Sequence, residues 1–249
     1  MQKQKHYIAI ACEILYREVC FSASQSKNIV DVVFQTKGLH DIGEAAMSKG
    51  LQDAINQVDH TRYDAILLVY GLCNNGIRNL HAPIPLVVPR AHDCITLLMG
   101  SKEKYAGYFA NNPGAYYHSS GWLERNVNSD DNTINQLGIG KSYEQYAAEF
   151  GDENAEYLME MLGSWLVNYN KLAFINNGIG DVESNMKKSQ SYAKSNNWDF
   201  EEVKGDINLF ERLVNGDWDE KDFLVIPPQH KIVPSNDDGV ITYISETPC

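Results

Sequence analysis

The chain has 249 residues, of which 43% are hydrophobic and 22% are charged, and its formal net charge is -12. The length and composition are typical of a globular protein with a sizeable core. The negative charge argues against binding to a nucleic-acid backbone, which needs clustered Lys and Arg. No apolar stretch approaches the roughly 20 residues that span a bilayer. We therefore expect a cytoplasmic protein without a nucleic-acid or membrane partner.

The first hundred residues alternate between two periodicities. Apolar runs predict strands in "YIAIA", "NIVDVVFQ", "YDAILLVYG" and "IPLVV". The third run is nearly continuous, as expected of a strand that is covered on both faces of a parallel sheet. Helical spacing lies between these runs, in Glu13–Cys20 and "GEAAMSKGLQDAINQV", and follows them in Cys94–Tyr108. Strands that alternate with helices predict right-handed crossovers and a parallel sheet.

A second alternation begins with "KLAFIN" and continues through "WDFEEVKG" and "DFLVIPP" to "VITYISE", with helical segments in between. A long helical pattern, Ser142–Val167, precedes it. We predict an α/β fold of two Rossmann-like lobes with mainly parallel sheets and an interlobe cleft. The N-terminal lobe would be residues 1–110, the connecting aromatic and helical segment 111–170, and the C-terminal lobe 171–249.

Three of the five cysteines come shortly after predicted strands. Cys12 directly follows the first strand, Cys73 lies three residues after "AILLVY", and Cys94 begins the helix after the fourth strand. In open parallel sheets, ligands bind beyond the carboxyl ends of the strands. The three thiols should therefore lie at the same edge of the sheet. An odd number of cysteines without framework spacing also predicts reduced thiols rather than a disulfide scaffold.

Such a group of thiols has a metal-binding and a structural interpretation. Asp93 is placed to cap the helix that follows, which leaves Cys94 in a first turn that favours the thiolate. Three gathered thiolates repel one another unless a metal ion or cluster neutralises them. The fourth coordination position would be open unless His92, Glu13 or His118 closes it. Alternatively, the cysteines pack as small apolar residues, since there is no CxxC pair.

The same segments resemble a known family. "ACEIL", "YGLCNNG", "IPLVVPRAHDCITLLMGSKEKY" and "GAYYHSSGW" are similar to the DUF1638 family of uncharacterised proteins, over about residues 5–230. The resemblance implies that the motif cysteines are Cys12, Cys73 and Cys94. It also implies an anaerobic setting near corrinoid-dependent methyl-transfer systems, with a corrinoid protein or a methyltransferase as partner. It implies no reaction.

The first functional hypothesis is a metal- or iron-sulfur-dependent enzyme acting on a small-molecule substrate in anaerobic one-carbon or methyl-transfer metabolism. Its cofactor would be zinc or a 4Fe-4S iron-sulfur cluster held by the three cysteines. His92 and Asp93 are the candidates for proton transfer. Arg90 is the candidate anion anchor, although it could equally form a structural salt bridge with an acid such as Asp93.

Two alternatives remain open on the sequence alone. One is a non-enzymatic accessory protein of a methyltransferase system that binds a metal, a corrinoid or a small molecule. The other is a metal-free α/β protein whose three cysteines belong to the core. Gly178 and Gly180 in "NNGIGD" are candidates for cofactor binding through backbone amides, although a plain tight turn explains the same pattern.

Overall fold

The computed structural model describes residues 3–40, 43–125, 151 and 169–246. The strands are β1 (His6–Cys12), β2 (Ile29–Gln35), β3 (Ala65–Val69), β4 (Leu86–Pro89), β5 (Ala115–Ser119), β6 (Lys171–Asn176), β7 (Asp199–Lys204), β8 (Phe223–Ile226), β9 (His230–Pro234) and β10 (Ile241–Ser245). The α-helices are α1 (Tyr16–Gln25), α2 (Glu44–Asn56), α3 (Cys94–Met99), α4 (Lys102–Asn111), α5 (Ser120–Glu124), α6 (Val182–Ser195) and α7 (Asn208–Asn215). The predicted mixed α/β fold with mainly parallel sheets is confirmed, whereas the helical pattern predicted at Ser142–Val167 lies outside the described residues apart from Gly151.

The largest sheet has the strand order β2-β1-β3-β4-β8. β1 is parallel to β2 and β3, and β3 is parallel to β4. Every residue of β3 is buried, as its continuous apolar run predicts for a central strand. The α2 helix buries Met47, Leu51 and Ile55, which recur at helical spacing on one face. Full burial of each such side chain stabilises the fold by about 1.5–3 kcal/mol.

The strand β8 lies late in the chain but belongs to the same sheet as the N-terminal strands. It pairs antiparallel with β4, with Leu86 opposite Ile226, although the sequence suggested a separate C-terminal lobe for this region. By contacts, unit 1 comprises Met1–Tyr108, Asn177–Gly180 and Lys204–Cys249, and unit 2 comprises Phe109–Asn176 and Asp181–Val203. The division at residues 110 and 170, the Rossmann-like character of two lobes and the interlobe cleft stay predictions.

Unit 2 is built on the strands β5, β6 and β7. β5 and β6 run parallel, with Ala115 opposite Lys171. Leu172 and Phe174 of β6 and Ala193 of α6 form a buried cluster beside aromatic side chains. The ring centroids of Tyr116 and Trp198 in this group are 5.6 Å apart. These aromatic residues are core residues of unit 2.

Two local features differ from the sequence-based expectations. The helix predicted at Cys94–Tyr108 is broken into α3 and α4, because Gly100 adopts φ 83° and ends the first helix in the left-handed conformation. A Cβ at Gly100 would lie 2.5 Å from the Asp206 Cβ, which leaves room for glycine alone. The second difference is β9, which pairs antiparallel with β10 and is not among the strands predicted from the sequence. Its flanking prolines mask the strand pattern in the sequence.

Candidate functional site

The strand order brings the ends of β1, β3 and β4 together. These three strands are adjacent and parallel, so their carboxyl ends lie at one edge of the sheet. Cys12 is the last residue of β1, Cys73 follows β3 in a turn, and Cys94 is the first residue of α3 after β4. The three segments that carry these thiols therefore lie at the same edge of the sheet.

Backbone contacts tie the segment after β3 to the segment after β4. The Leu72 N–H donates to the Ala91 carbonyl at 2.8 Å, and the Cys73 N–H donates to the His92 carbonyl at 2.9 Å. A Cβ at Gly71 would lie 2.6 Å from the Asp93 Cα and N atoms. The two segments are thus in direct backbone contact, which only glycine permits at this position.

The turn that carries Cys73 has an unusual backbone. Cys73, Asn74 and Asn75 have φ angles of 45°, 54° and 66°, and the Gly76 N–H donates to the Cys73 carbonyl at 3.0 Å. Asn tolerates the left-handed region, but a cysteine there is strained by about 1–2 kcal/mol. Backbone strain of this kind clusters at functional sites and persists when the surroundings hold it.

The predicted helix cap at Asp93 is confirmed. Its carboxylate accepts hydrogen bonds from the Thr96 N–H at 3.1 Å and from the Thr96 hydroxyl at 3.2 Å. The other carboxylate oxygen accepts from the Tyr105 hydroxyl at 3.1 Å. Asp93 therefore fixes the start of α3, and with it the position of Cys94. A role in proton transfer would compete with these bonds.

The three thiols influence one another electrostatically. Burial raises the pKa of Cys73 to about 12, and the neighbouring Cys12 and Asp93 add to this shift. Burial raises the pKa of Cys94 well above its ordinary value, with further contributions from Cys73, Asp93 and Cys12. Backbone amides of Gly71 and Cys94 oppose the shift at the Cys73 sulfur. The sequence suggested that the start of the helix favours the thiolate form of Cys94. This effect alone is not sufficient, because desolvation and neighbouring like charges outweigh it.

A metal-binding geometry is not preformed in the described part of the chain. Among residues 3–40, 43–125, 151 and 169–246, no group of three or more His, Cys, Asp or Glu side chains is arranged to hold a metal ion. Cys12 and Cys73 are buried, and Cys94 is half-buried. Metal binding by the three cysteines therefore stays a prediction.

Sequence reasoning missed Tyr70, which directly follows β3. Its side chain is 3% exposed. The hydroxyl oxygen makes no well-formed hydrogen bond to the described residues. Burial raises the pKa of Tyr70, and the thiols of Cys12 and Cys73, a weak hydrogen-bonding contact with the Cys12 thiol, and Glu13 add to this effect. The signal in the sequence was a polar group at the end of the apolar run "AILLVY".

The guanidinium group of Arg90 donates hydrogen bonds to backbone carbonyls. Its Nε donates to the Glu220 carbonyl at 2.9 Å, and its Nη1 donates to the Gly239 carbonyl at 2.9 Å. Further bonds reach the carbonyls of Phe223 and Ile241. These contacts support a structural role, and the role of Arg90 as an anion anchor stays a prediction. The neighbouring His92 side chain is exposed to solvent.

The other two candidates for a fourth ligand belong to different units. Glu13 directly follows Cys12 and acts electrostatically on Tyr70, and its Oε1 accepts a hydrogen bond from the Lys37 N–H at 2.8 Å. His118 belongs to unit 2, where it is buried with its Nδ1 3.0 Å from the Ser189 Oγ. The contacts described within unit 1 place Glu13 near the thiols.

His118 gives a pH prediction for stability. Burial lowers its pKa to about 4 from the ordinary value of 6.5. Between these two pH values, the histidine is protonated in the unfolded chain and neutral in the folded chain. Stability should therefore fall as the pH drops from 6.5 to 4, by about 3 kcal/mol in total from this group. Urea unfolding of wild type and His118→Asn at several pH values measures this contribution. An identical pH dependence in the variant would contradict it.

The two glycines of "NNGIGD" lie in the turn between β6 and α6. Gly178 and Gly180 have φ angles of 71° and 84°, so both use the left-handed region. Beside them, the Asn177 amide donates to the Glu18 carboxylate at 3.2 Å. This geometry explains the glycines as turn residues, and their proposed contact with a cofactor stays a prediction.

None of the helices among the described residues has the length and apolar character that a membrane span requires. The model of a family described as a protein of unknown function, DUF1638, matches residues 34–214. That match includes Cys73 and Cys94, whereas Cys12 precedes it. No curated protein and no solved structure matches the chain.

Proposed function

Since the chain belongs to the DUF1638 family, which has no known function, we propose its function from the site itself. It is a metal- or iron-sulfur-dependent enzyme that acts on a small molecule, and Cys12, Cys73 and Cys94 hold the cofactor. The thiols come from the ends of adjacent strands, so each is fixed by a different part of the sheet. Functional groups in α/β proteins commonly gather at this edge.

The placement of three thiol-bearing segments at one sheet edge carries the proposal. Burial raises the pKa of Cys73, to which Cys12 and Asp93 add, and burial raises the pKa of Cys94, to which Cys73, Asp93 and Cys12 add. Ionising sulfurs that lie next to one another and to a carboxylate is unfavourable in the absence of a cation, and a bound metal reverses this effect by stabilising the thiolates. Amide donors at the Cys73 sulfur are also the kind of contact that tunes thiolate ligands.

Zinc and a 4Fe-4S cluster both suit a set of thiolate ligands. When bound, zinc would activate a thiol or water, and a cluster with an open iron would act as a Lewis acid toward a carboxylate or hydroxyl group. Three cysteines leave one position for the substrate. His92, exposed beside Cys94, is the proton-transfer candidate that retains an exposed side chain. Methyl transfer to a thiol or corrinoid is one reaction of this class.

A second candidate follows from the position of Glu13. This carboxylate lies at the same edge and acts on Tyr70. As a fourth ligand it would close the site, which is characteristic of structural rather than catalytic metal centres. The protein would then be a non-enzymatic accessory protein that carries a metal or corrinoid for a methyltransferase.

The test is purification of the full chain under anaerobic conditions without chelator. Elemental analysis for iron, zinc and cobalt would be combined with a sulfide assay and a visible spectrum. Iron with sulfide and a broad absorbance supports the cluster, and stoichiometric zinc without colour supports the zinc enzyme. Cobalt with a corrinoid spectrum supports the accessory role. Protein without any metal overturns the three-cysteine site.

A further inference from the structure

The edge that carries the three cysteines also contains a buried hydroxyl that packing does not explain. The side chain of Tyr70 is 3% exposed, and its oxygen makes no well-formed hydrogen bond to the described residues. Buried hydroxyls are nearly always bonded, so an exception calls for a ligand, an ion or a water as partner. If packing were its sole role, phenylalanine would fill the same space without the unsatisfied oxygen.

The sheet register places Tyr70 next to Cys12. Val69 is paired with Ala11, so the next residues along the two parallel strands, Tyr70 and Cys12, are neighbours across the sheet. The thiols of Cys12 and Cys73 are both close enough to act on the phenol electrostatically. Tyr70 therefore lies close to two of the three proposed ligands. The hydrogen-bonding contact of its hydroxyl with the Cys12 thiol is a weak one, because thiols are weak hydrogen-bond partners.

We propose that the Tyr70 hydroxyl donates a hydrogen bond to the small molecule that occupies the open position of the three-cysteine site. This inference rests on the proposed function, because it needs a cofactor with an exchangeable position. A tyrosine keeps its phenolic proton at neutral pH, so the group acts as a donor. The ligand that it recognises has an acceptor atom next to the atom that binds the metal, as in a carboxylate or a small inorganic anion.

The proposal also has a charge argument. The Nε and Nη1 atoms of Arg90 donate to the carbonyls of Glu220 and Gly239, so two of the three guanidinium nitrogens are already engaged. Asp93 and Glu13 add carboxyl groups to this edge. Recognition of an anionic acceptor would therefore depend on the metal and on neutral donors such as the Tyr70 hydroxyl. Such a combination of groups selects small ligands of low charge.

The experiment uses cobalt(II) as the metal and azide as the ligand probe. Wild type, Tyr70→Phe and Tyr63→Phe would each be loaded anaerobically with cobalt(II), and azide would be titrated against the cobalt-thiolate spectrum. Tyr63 is the matched control, since its hydroxyl donates to Asp31 at 2.7 Å. We expect Tyr70→Phe to bind cobalt as wild type does but azide about tenfold more weakly. Its melting temperature without metal should equal or exceed that of wild type.

The outcomes separate the two proposals. Equal azide affinity in wild type and Tyr70→Phe, or a cobalt spectrum that azide does not change in wild type, overturns the role of Tyr70 and leaves the metal site standing. A similar loss of azide affinity in Tyr63→Phe also overturns it. Wild-type protein that gives no cobalt-thiolate spectrum overturns the metal site and the role of Tyr70 together.

Discussion

Each of the substitutions Cys12→Ser, Cys73→Ser and Cys94→Ser should remove the bound metal or cluster. The hydroxyl is a poor ligand for zinc or iron compared with a thiolate, so metal affinity should fall by at least about tenfold. Elemental analysis of anaerobically purified variants measures the loss. Cys20→Ser is the matched control, because Cys20 is an exposed residue of α1 in the same unit. We expect it to retain the wild-type metal content.

A further variant separates loss of a ligand from loss of the fold. Cys73 has a φ angle of 45°, which glycine adopts at no steric cost. Without metal, Cys73→Gly should therefore unfold at a urea concentration close to that of metal-free wild type, and it should not take up the metal. If Cys73→Ser and Cys73→Gly keep as much metal as Cys20→Ser, Cys73 is not a ligand and the thiol belongs to the core.

Replacing Gly71 with alanine should cause a large loss of stability for a single added methyl group. The added Cβ would lie 2.6 Å from the backbone N and Cα of Asp93. Because these atoms belong to the backbone, the segments after β3 and β4 must move apart, and the hydrogen bond from Cys73 to His92 must lengthen. We expect a destabilisation of about 1–3 kcal/mol in urea unfolding. Metal binding should weaken as well, since Cys73 and Cys94 separate.

The same substitution at Gly107 is the control. No atom lies within 4 Å of a Cβ built at this position in α4. Alanine there should stabilise the protein by about 0.5–1 kcal/mol, because glycine is a poor residue for a helix interior. Equal effects of Gly71→Ala and Gly107→Ala would show that the close contact with Asp93 relaxes at little cost.

The sequence predicted the elements around the candidate site well, for physical reasons. Ala65–Val69 is apolar at every position because both of its faces are covered, and such a run is easily recognised as a central parallel strand. Once neighbouring strands are parallel, the chain after each of them starts at the same edge. This is why Cys12, Cys73 and Cys94 could be grouped without knowledge of their contacts.

Other features depend on contacts that leave little trace in local sequence. β8 resembles any short apolar strand, and its antiparallel pairing with β4 is decided by tertiary packing. The role of Arg90 depends on carbonyls far along the chain, such as that of Gly239. A tyrosine at a strand end is usual, and the absence of a well-formed partner for Tyr70 among the described residues becomes visible only in three dimensions.

The discontinuous chain of unit 1 has a consequence for protein synthesis. Arg90 and the Glu220 carbonyl that it contacts are 130 positions apart. All three cysteines therefore leave the ribosome long before β8 covers the edge of β4. During this interval the nascent chain exposes an unpaired strand edge and three thiols at once, a combination that favours aggregation and oxidation. Early metal capture by the nascent chain would protect the thiols until translation is complete.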